Sequence, residues 1–165
     1  MIGLAIAALA AQCLLPPVAA PVAVPFVQPA CQYCPGHRGL EYHLPERTAV
    51  TAAAAGQVAF AGSVAGTRYV VVRHADGVRA TYGMLATLPL TRGDVVAAGA
   101  VVGHSTARLY FGLRNPDGSP LDPTALIGRL VGRARLVPVD RTAARPAGPT
   151  RLECRVSVTT AARPP

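Results

Sequence analysis

Apolar and polar residues alternate most plainly in the stretch Val101–Arg114, VVGHSTARLYFGLR. Leu109, Phe111 and Leu113 take every second position, with Arg108, Tyr110, Gly112 and Arg114 between them. Successive strand side chains point to opposite faces. The first set is therefore predicted to face a core and the second to share the other face. The stretch reads as two strands, Val101–Val102 and Arg108–Arg114, joined by a connection at His104–Ala107. Arg68–His74 is the densest β-branched run; the Asp76-Gly77 pair then marks a hairpin, with Val78–Tyr82 as its returning partner. Shorter strands are expected at Ala49–Ala54, Gln57–Ala61, Leu88–Leu90 and Val95–Val96, with a loop at Gly62–Gly66. Thr124–Leu130 reads as a short helix and Leu136–Val139 as an edge strand. Many short strands at close spacing predict an all-β fold. Its antiparallel sheet core is expected to form a sandwich or partly open barrel, with one short C-terminal helix.

The flanks differ in pattern. Residues 2–15 form an apolar run of the length of a signal h-region, too short for a confident membrane span, and Ala-rich cleavage options follow around Val18–Ala23. Residues 1–23 are thus read as a signal peptide or an uncleaved N-terminal anchor, and 24–34 as a Pro-rich extended linker. The β domain is placed at 35–139. The tail, 140–165, is rich in Arg, Pro and Ala and is expected to be loosely ordered. The chain is expected to be secreted or envelope-associated and monomeric, touching membrane only through an uncleaved N-terminal segment.

Composition sharpens this picture at two points. The chain has 16 Arg and no Lys, with a net charge of +8. From Arg129 onward eight Arg face two acids, giving +6; the rest holds eight Arg against six acids, giving +2. The folded part is thus nearly balanced by count, and the tail is read as a solvated basic segment. Its Arg residues are not interleaved with aromatics suited to stacking bases, which argues against a nucleic-acid partner. Cys31-Gln-Tyr-Cys34 is a C-x-x-C pair with no second pair to complete a zinc ribbon. In an exported chain it reads as a structural disulfide, within the pair or from one of the two to Cys154. Removal of a signal containing Cys13 would leave an odd cysteine.

Taken in order, GHRGLEY, AAAAGQVAFAG, VVVRHADGVRATYGML, RGDVVAAGAVVG, ARLYFGLR and LDP resemble the M23 (LytM-type) peptidoglycan metallopeptidase domain, particularly its actinobacterial versions. The resemblance covers roughly Pro35–Gly128. It implies a β-rich groove holding one zinc and hydrolysis of peptide cross-links in cell wall. It also implies which residues should act, and three of the five expected positions are substituted. The family's His-x-Gly-x-Asp reads His37-Arg38-Gly39-Leu40-Glu41, so His37 and Glu41 remain as an incomplete metal pair. Tyr-x-His-Leu reads Tyr82-Gly83-Met84-Leu85, which puts Met84 where a catalytic His is expected. His-Leu-His reads Arg108-Leu109-Tyr110, which puts Arg108 at the other catalytic His and Tyr110 at the third ligand. The glycine-rich loop before that motif is shortened to His104–Ala107. His74 matches a family His that is not a ligand, and His43 and His104 are the spare histidines.

Catalytic zinc needs about three protein ligands and an open position for water. Arg cannot act as a general base at neutral pH, and Met has no proton to transfer. The expectation is a degenerate, non-catalytic domain with no cofactor. It would bind peptidoglycan stem peptides or regulate a wall hydrolase, with Arg108, Tyr110, Met84 and Tyr82 as groove candidates. The alternative is an active zinc-dependent murein endopeptidase with rearranged ligands. A lipoyl-type carrier domain, which GDVVAAGAVVG also resembles, fails for want of a Lys.

Overall fold

The computed structural model describes residues 13–31, 33–132, 139, 146 and 150–154. Ten strands follow in chain order: β1 Leu40–His43, β2 Ala49–Thr51, β3 Gly56–Val64, β4 Thr67–Arg73, β5 Arg79–Thr87, β6 Val95–Val96, β7 Val101–Arg114, β8 Pro120–Leu121, β9 Arg129–Val131 and β10 Arg151–Glu153. Eight form one antiparallel sheet in the order β1-β7-β5-β4-β3-β6, with β2 and β8 also paired to β7. The sheet is not closed into a barrel, because β1 and β6 stay at its two ends. A separate two-stranded antiparallel sheet pairs β9 with β10.

Alternation decides which face is dry. Leu109, Phe111 and Leu113 are wholly buried, as are Val70, Val72, Ala80 and Tyr82 on the neighbouring strands. Burying an aliphatic or Phe side chain contributes roughly 1.5–3 kcal/mol, so this face holds the sheet together. Ring centroids of Tyr82 and Phe111 lie 5.3 Å apart. The Ala53 backbone N–H donates to the Tyr82 hydroxyl at 2.8 Å.

β7 is one strand of 14 residues, not two. The expected connection at His104–Ala107 is absent because partners hold it on both sides. His104 lies opposite Ala49 and Thr87, and Ser105 lies opposite Leu85. The helix expected at Thr124–Leu130 is also absent; among the described residues there is no helix. Asp122 caps a turn through the Thr124 N–H, and the N–H groups of Leu126 and Ile127 both reach the Pro123 carbonyl. The Gly128 N–H then donates to the Leu14 carbonyl, which captures the chain before a second turn can form. Leu88–Leu90 lies in a connection, and the Gly62–Gly66 loop is instead the tight end of the β3–β4 hairpin, with Ala65 and Gly66 at positive φ.

The segment before β1 lies against the sheet. Leu14 and Val18 belong to the core. Ala23 and Val24 donate to the Glu41 carbonyl, and Val27 exchanges two backbone hydrogen bonds with His37. The linker expected over 24–34 is thus extended but hydrogen-bonded, and it covers the open edge of β1. Of the two pairings left open for the C-x-x-C pair, Cys31 is bonded to Cys34, and Cys154 is bonded to Cys13, so no cysteine is left over among the described residues. The loose order expected of the tail does not extend to Arg151–Glu153, which pair with β9. Residues 1–12 of the expected signal segment, the expected strand at 136–138 and most of the tail lie outside the described residues.

Candidate functional site

The polar face of the sheet is organised in rows across the strands. One row runs Glu41, Tyr110, Gly83, Tyr69, Gly62 through β1, β7, β5, β4 and β3. Glycine and tyrosine alternate in it for a packing reason. A Cβ on Gly83 would stand 2.6 Å from the Tyr69 ring, so that ring lies over the glycine. The Tyr110 ring is accommodated in the same way: a Cβ on Gly39 or on Gly112 would meet it at 2.7 Å. Gly39 of the His-x-Gly motif is therefore required by the Tyr110 ring and by the Phe111 carbonyl beside it.

His37 sits just before β1. Its Nδ1 lies 2.9 Å from the Pro25 carbonyl. A carbonyl only accepts, so Nδ1 carries a proton. Nε2 faces Glu41 Oε1 at 3.3 Å. The other carboxylate oxygen, Oε2, lies 3.7 Å from Arg108 Nη1. Glu41 is mostly covered, whereas the Arg108 side chain is 56% exposed. An exposed ion pair of that length is worth about 0.2–1 kcal/mol.

The Tyr110 ring lies edge-on to His37, centroids 6.0 Å apart, but its hydroxyl is directed elsewhere. It donates to the Arg38 carbonyl at 3.0 Å. Burial pushes the hydroxyl above its ordinary titration range, opposed by the charge of Arg114, raised further by Tyr69, opposed again by Arg38 and raised by Glu41. The group therefore stays a neutral phenol whose proton is committed to a carbonyl.

Met84 lies at a bulge between Gly83 and Leu85, with φ +62°. It separates two clefts of about 300 Å³ each. One has Tyr69, Thr81, Tyr110 and Arg114 in its walls, the other Arg68, Thr106 and Arg108. Tyr82, expected in the groove with Met84, is in the core instead. The bulge adds a residue and breaks the period of two, so positions 82 and 84 no longer share a face. His43 stands opposite Arg108 on β1, exposed. His104 bonds Thr87 Oγ1 at 3.1 Å. His74 is buried with Nδ1 2.8 Å from the Ala55 carbonyl.

The structure thus brings His37, Glu41, Arg108 and Tyr110 to one place and does not bring a third donor to them. Among the described residues no group of three or more His, Cys, Asp or Glu is assembled to hold a metal ion. The donor set does not fit catalytic zinc: one imidazole and one carboxylate face each other, a guanidinium stands against the carboxylate, and the phenol at the third position is turned aside. Sequence reasoning missed Tyr69, whose place follows from its pairing with Gly83 across the hairpin.

An open antiparallel sheet with an incomplete donor pair on its polar face is the core of a metallopeptidase-like domain with a degenerate site. Residues 35–123, more than half of the chain, match the family described as Peptidase family M23, and the chain belongs to that family. A DD-carboxypeptidase/endopeptidase, Mpg, of Neisseria meningitidis serogroup B is 34% identical over 98 residues, which are 54% of this chain and 22% of that protein. The chain therefore spans about a fifth of the length of the curated relatives it matches. Csd3 of Helicobacter pylori shares the fold at TM-score 0.61 and 24% identity, over 81% of this chain and 34% of that one. The catalytic domain of the M23 protein EnpA from Enterococcus faecalis does so at TM-score 0.57 and 24% identity, over 68% and 95%.

Proposed function

We propose that this domain is an exported, non-catalytic M23 member that binds peptidoglycan stem peptide beside Met84 and through that contact regulates a wall hydrolase. The observation that carries the reading is Arg108, more than half exposed and held, among the described residues, by a 3.7 Å contact to Glu41. A guanidinium fork suits a carboxylate, and stem peptides carry carboxylates. Glu41 holds Arg108 in the absence of ligand and releases it at little cost, since the exposed pair is weak. The name of the Neisseria relatives, DD-carboxypeptidase/endopeptidase, supports a wall peptide as the ligand class.

Calorimetric titration of soluble stem-peptide fragments against the wild type and Arg108→Ala tests this. The wild type should bind without releasing new amines, and Arg108→Ala should bind about tenfold more weakly, the loss of one charge-assisted bond. Binding by neither protein, or equal binding by both, sinks the peptide reading. Elemental analysis belongs to the same experiment. One zinc per chain, with melting lowered by chelator and cleavage of the fragments, would establish the zinc endopeptidase alternative instead.

A further inference from the structure

Asp76, Asp94, Asp117 and Asp122 all sit in turns, where their carboxylates accept from the amides of Val78, Thr91, Ser119 and Thr124. Arg68, Arg73, Arg79, Arg108 and Arg114 lie on strands, where Glu41 is the acid they share a sheet with. Two rows along from Tyr110, the register places Arg114 opposite Arg79 and Arg79 opposite Arg73. All three are on the polar face, because their neighbours Leu113, Ala80 and Val72 are wholly buried on the other. Directly opposed strand residues have Cβ atoms about 4.5–5.5 Å apart, and like charges in such pairs are destabilising.

Nothing among the described residues neutralises this row. Neither Arg73, Arg79 nor Arg114 has a carboxylate within ion-pair distance. Asp76 and Asp117, in the two turns at this end of the sheet, are engaged by their own turn amides. Two of the guanidiniums converge: Arg114 Nη1 donates to the Gly118 carbonyl at 2.9 Å, and Arg79 Nη2 lies 3.7 Å from where a Cβ on Gly118 would stand. Arg114, at one end of the row, opens onto the cleft whose walls hold Tyr69, Thr81 and Tyr110, and on its other side borders a second cleft that also holds Asp117.

We propose that the Arg114–Arg79–Arg73 row and the adjoining cleft bind a linear polyphosphate, which runs across β7, β5 and β4. Three guanidiniums along one line offer a continuous cationic track, and guanidinium forks suit phosphate oxygens. The row carries no aromatic to stack a base, so the backbone charge is what it reads. This site is separate from the Arg108 cleft across Met84 and does not rest on the peptide reading.

The test is a thermal melt and titration with inorganic polyphosphate, using the full chain. The comparison protein is R73Q/R79Q/R114Q, which removes the like-charge row and keeps the basic tail. Polyphosphate should raise the melting temperature of the wild type, and the triple variant should fold, melt no lower without ligand, and bind at least about tenfold more weakly. Sodium chloride at matched ionic strength should not reproduce the shift. Equal binding by the two proteins would overturn the proposal and assign the effect to the tail. An equal shift with salt, equal binding of poly-glutamate, or binding confined to phosphatidylglycerol vesicles would each overturn it as well.

Discussion

Met84 holds a left-handed backbone conformation, φ +62°, that side chains other than glycine or asparagine adopt at a cost of roughly 1–2 kcal/mol. The bulge imposes it, and the bulge is what points Met84 between the two clefts. Met84→Asn should therefore keep stability within about 1 kcal/mol of the wild type, while Met84→Val should lose more, since a β-branched side chain tolerates positive φ worst. Chemical denaturation of the three proteins measures the difference; a Val variant as stable as the Asn variant would mean that the bulge is not held. The same bulge marks the limit of reading single residues from the sequence. The shared face of Arg108 and Tyr110 is legible because β7 keeps its period of two through both. Tyr82 is not, because its relation to Met84 crosses an inserted residue that no local composition announces. Arg108 and Glu41 meet through strand pairing: β1 sets Glu41 opposite Tyr110 and His43 opposite Arg108, a register that motif spacing does not contain.

At the scale of elements, the strands were legible where β-branched residues and alternation coincide, in β4 and the second half of β7. The first half of β7 lacks that signal. Gly103, His104, Ser105 and Thr106 read as a connection, and their strand conformation comes from β2 and the end of β5 on either side. The segment before β1 was legible as extended but not as packed, because its partners are distant in the chain. Leu14 meets Ile127, and Cys13 is bonded to Cys154 across 141 residues. From this packing we predict that Cys13 is retained in the mature protein. A bond closing so long a loop restricts the unfolded chain by an amount that simple chain entropy puts near 5 kcal/mol. The Cys13→Ser/Cys154→Ser variant should melt well below the wild type, whereas Cys31→Ser/Cys34→Ser, which opens a very short loop, should lose much less. An intact-mass measurement on exported protein decides retention. A mature chain beginning after Val18, with Cys154 as a free thiol, would reject it.

At the scale of the whole molecule, net charge hides how charges are placed. A folded part close to balance by count sets Asp76, Asp94, Asp117 and Asp122 at turns and lines up Arg73, Arg79 and Arg114 on one face, and only the strand register reveals the second arrangement. Tyr42 and Tyr82 on the opposite, buried face and Tyr110 on the polar face are tyrosines held neutral by burial. Burial pushes the Tyr42 hydroxyl up to about 12 and that of Tyr82 higher still, the latter partly offset by the Ala53 amide; Tyr110 is raised for the reasons given above. A phenol whose titration lies higher in the folded chain than in the unfolded one keeps a proton that the unfolded chain gives up. Its contribution to stability is complete below the unfolded value near 10 and is lost as pH rises toward the folded value, at about 1.4 kcal/mol per pH unit for each such group. Arg stays charged over that range, so loss of the basic face does not drive the transition. The expected outcome is a stability that holds to about pH 10 and then falls steeply, with phenolate absorbance of the buried tyrosines appearing together with the loss of β circular dichroism. Tyr82→Phe keeps the ring against Phe111 but leaves the Ala53 N–H without its acceptor, at a cost of about 1–3 kcal/mol. It should be less stable at neutral pH and lose stability less steeply above pH 10, because one titrating group has gone. Phenolate absorbance that develops fully while the sheet signal is intact, or an alkaline slope unchanged by Tyr82→Phe, would show that these hydroxyls reach solvent in the folded chain.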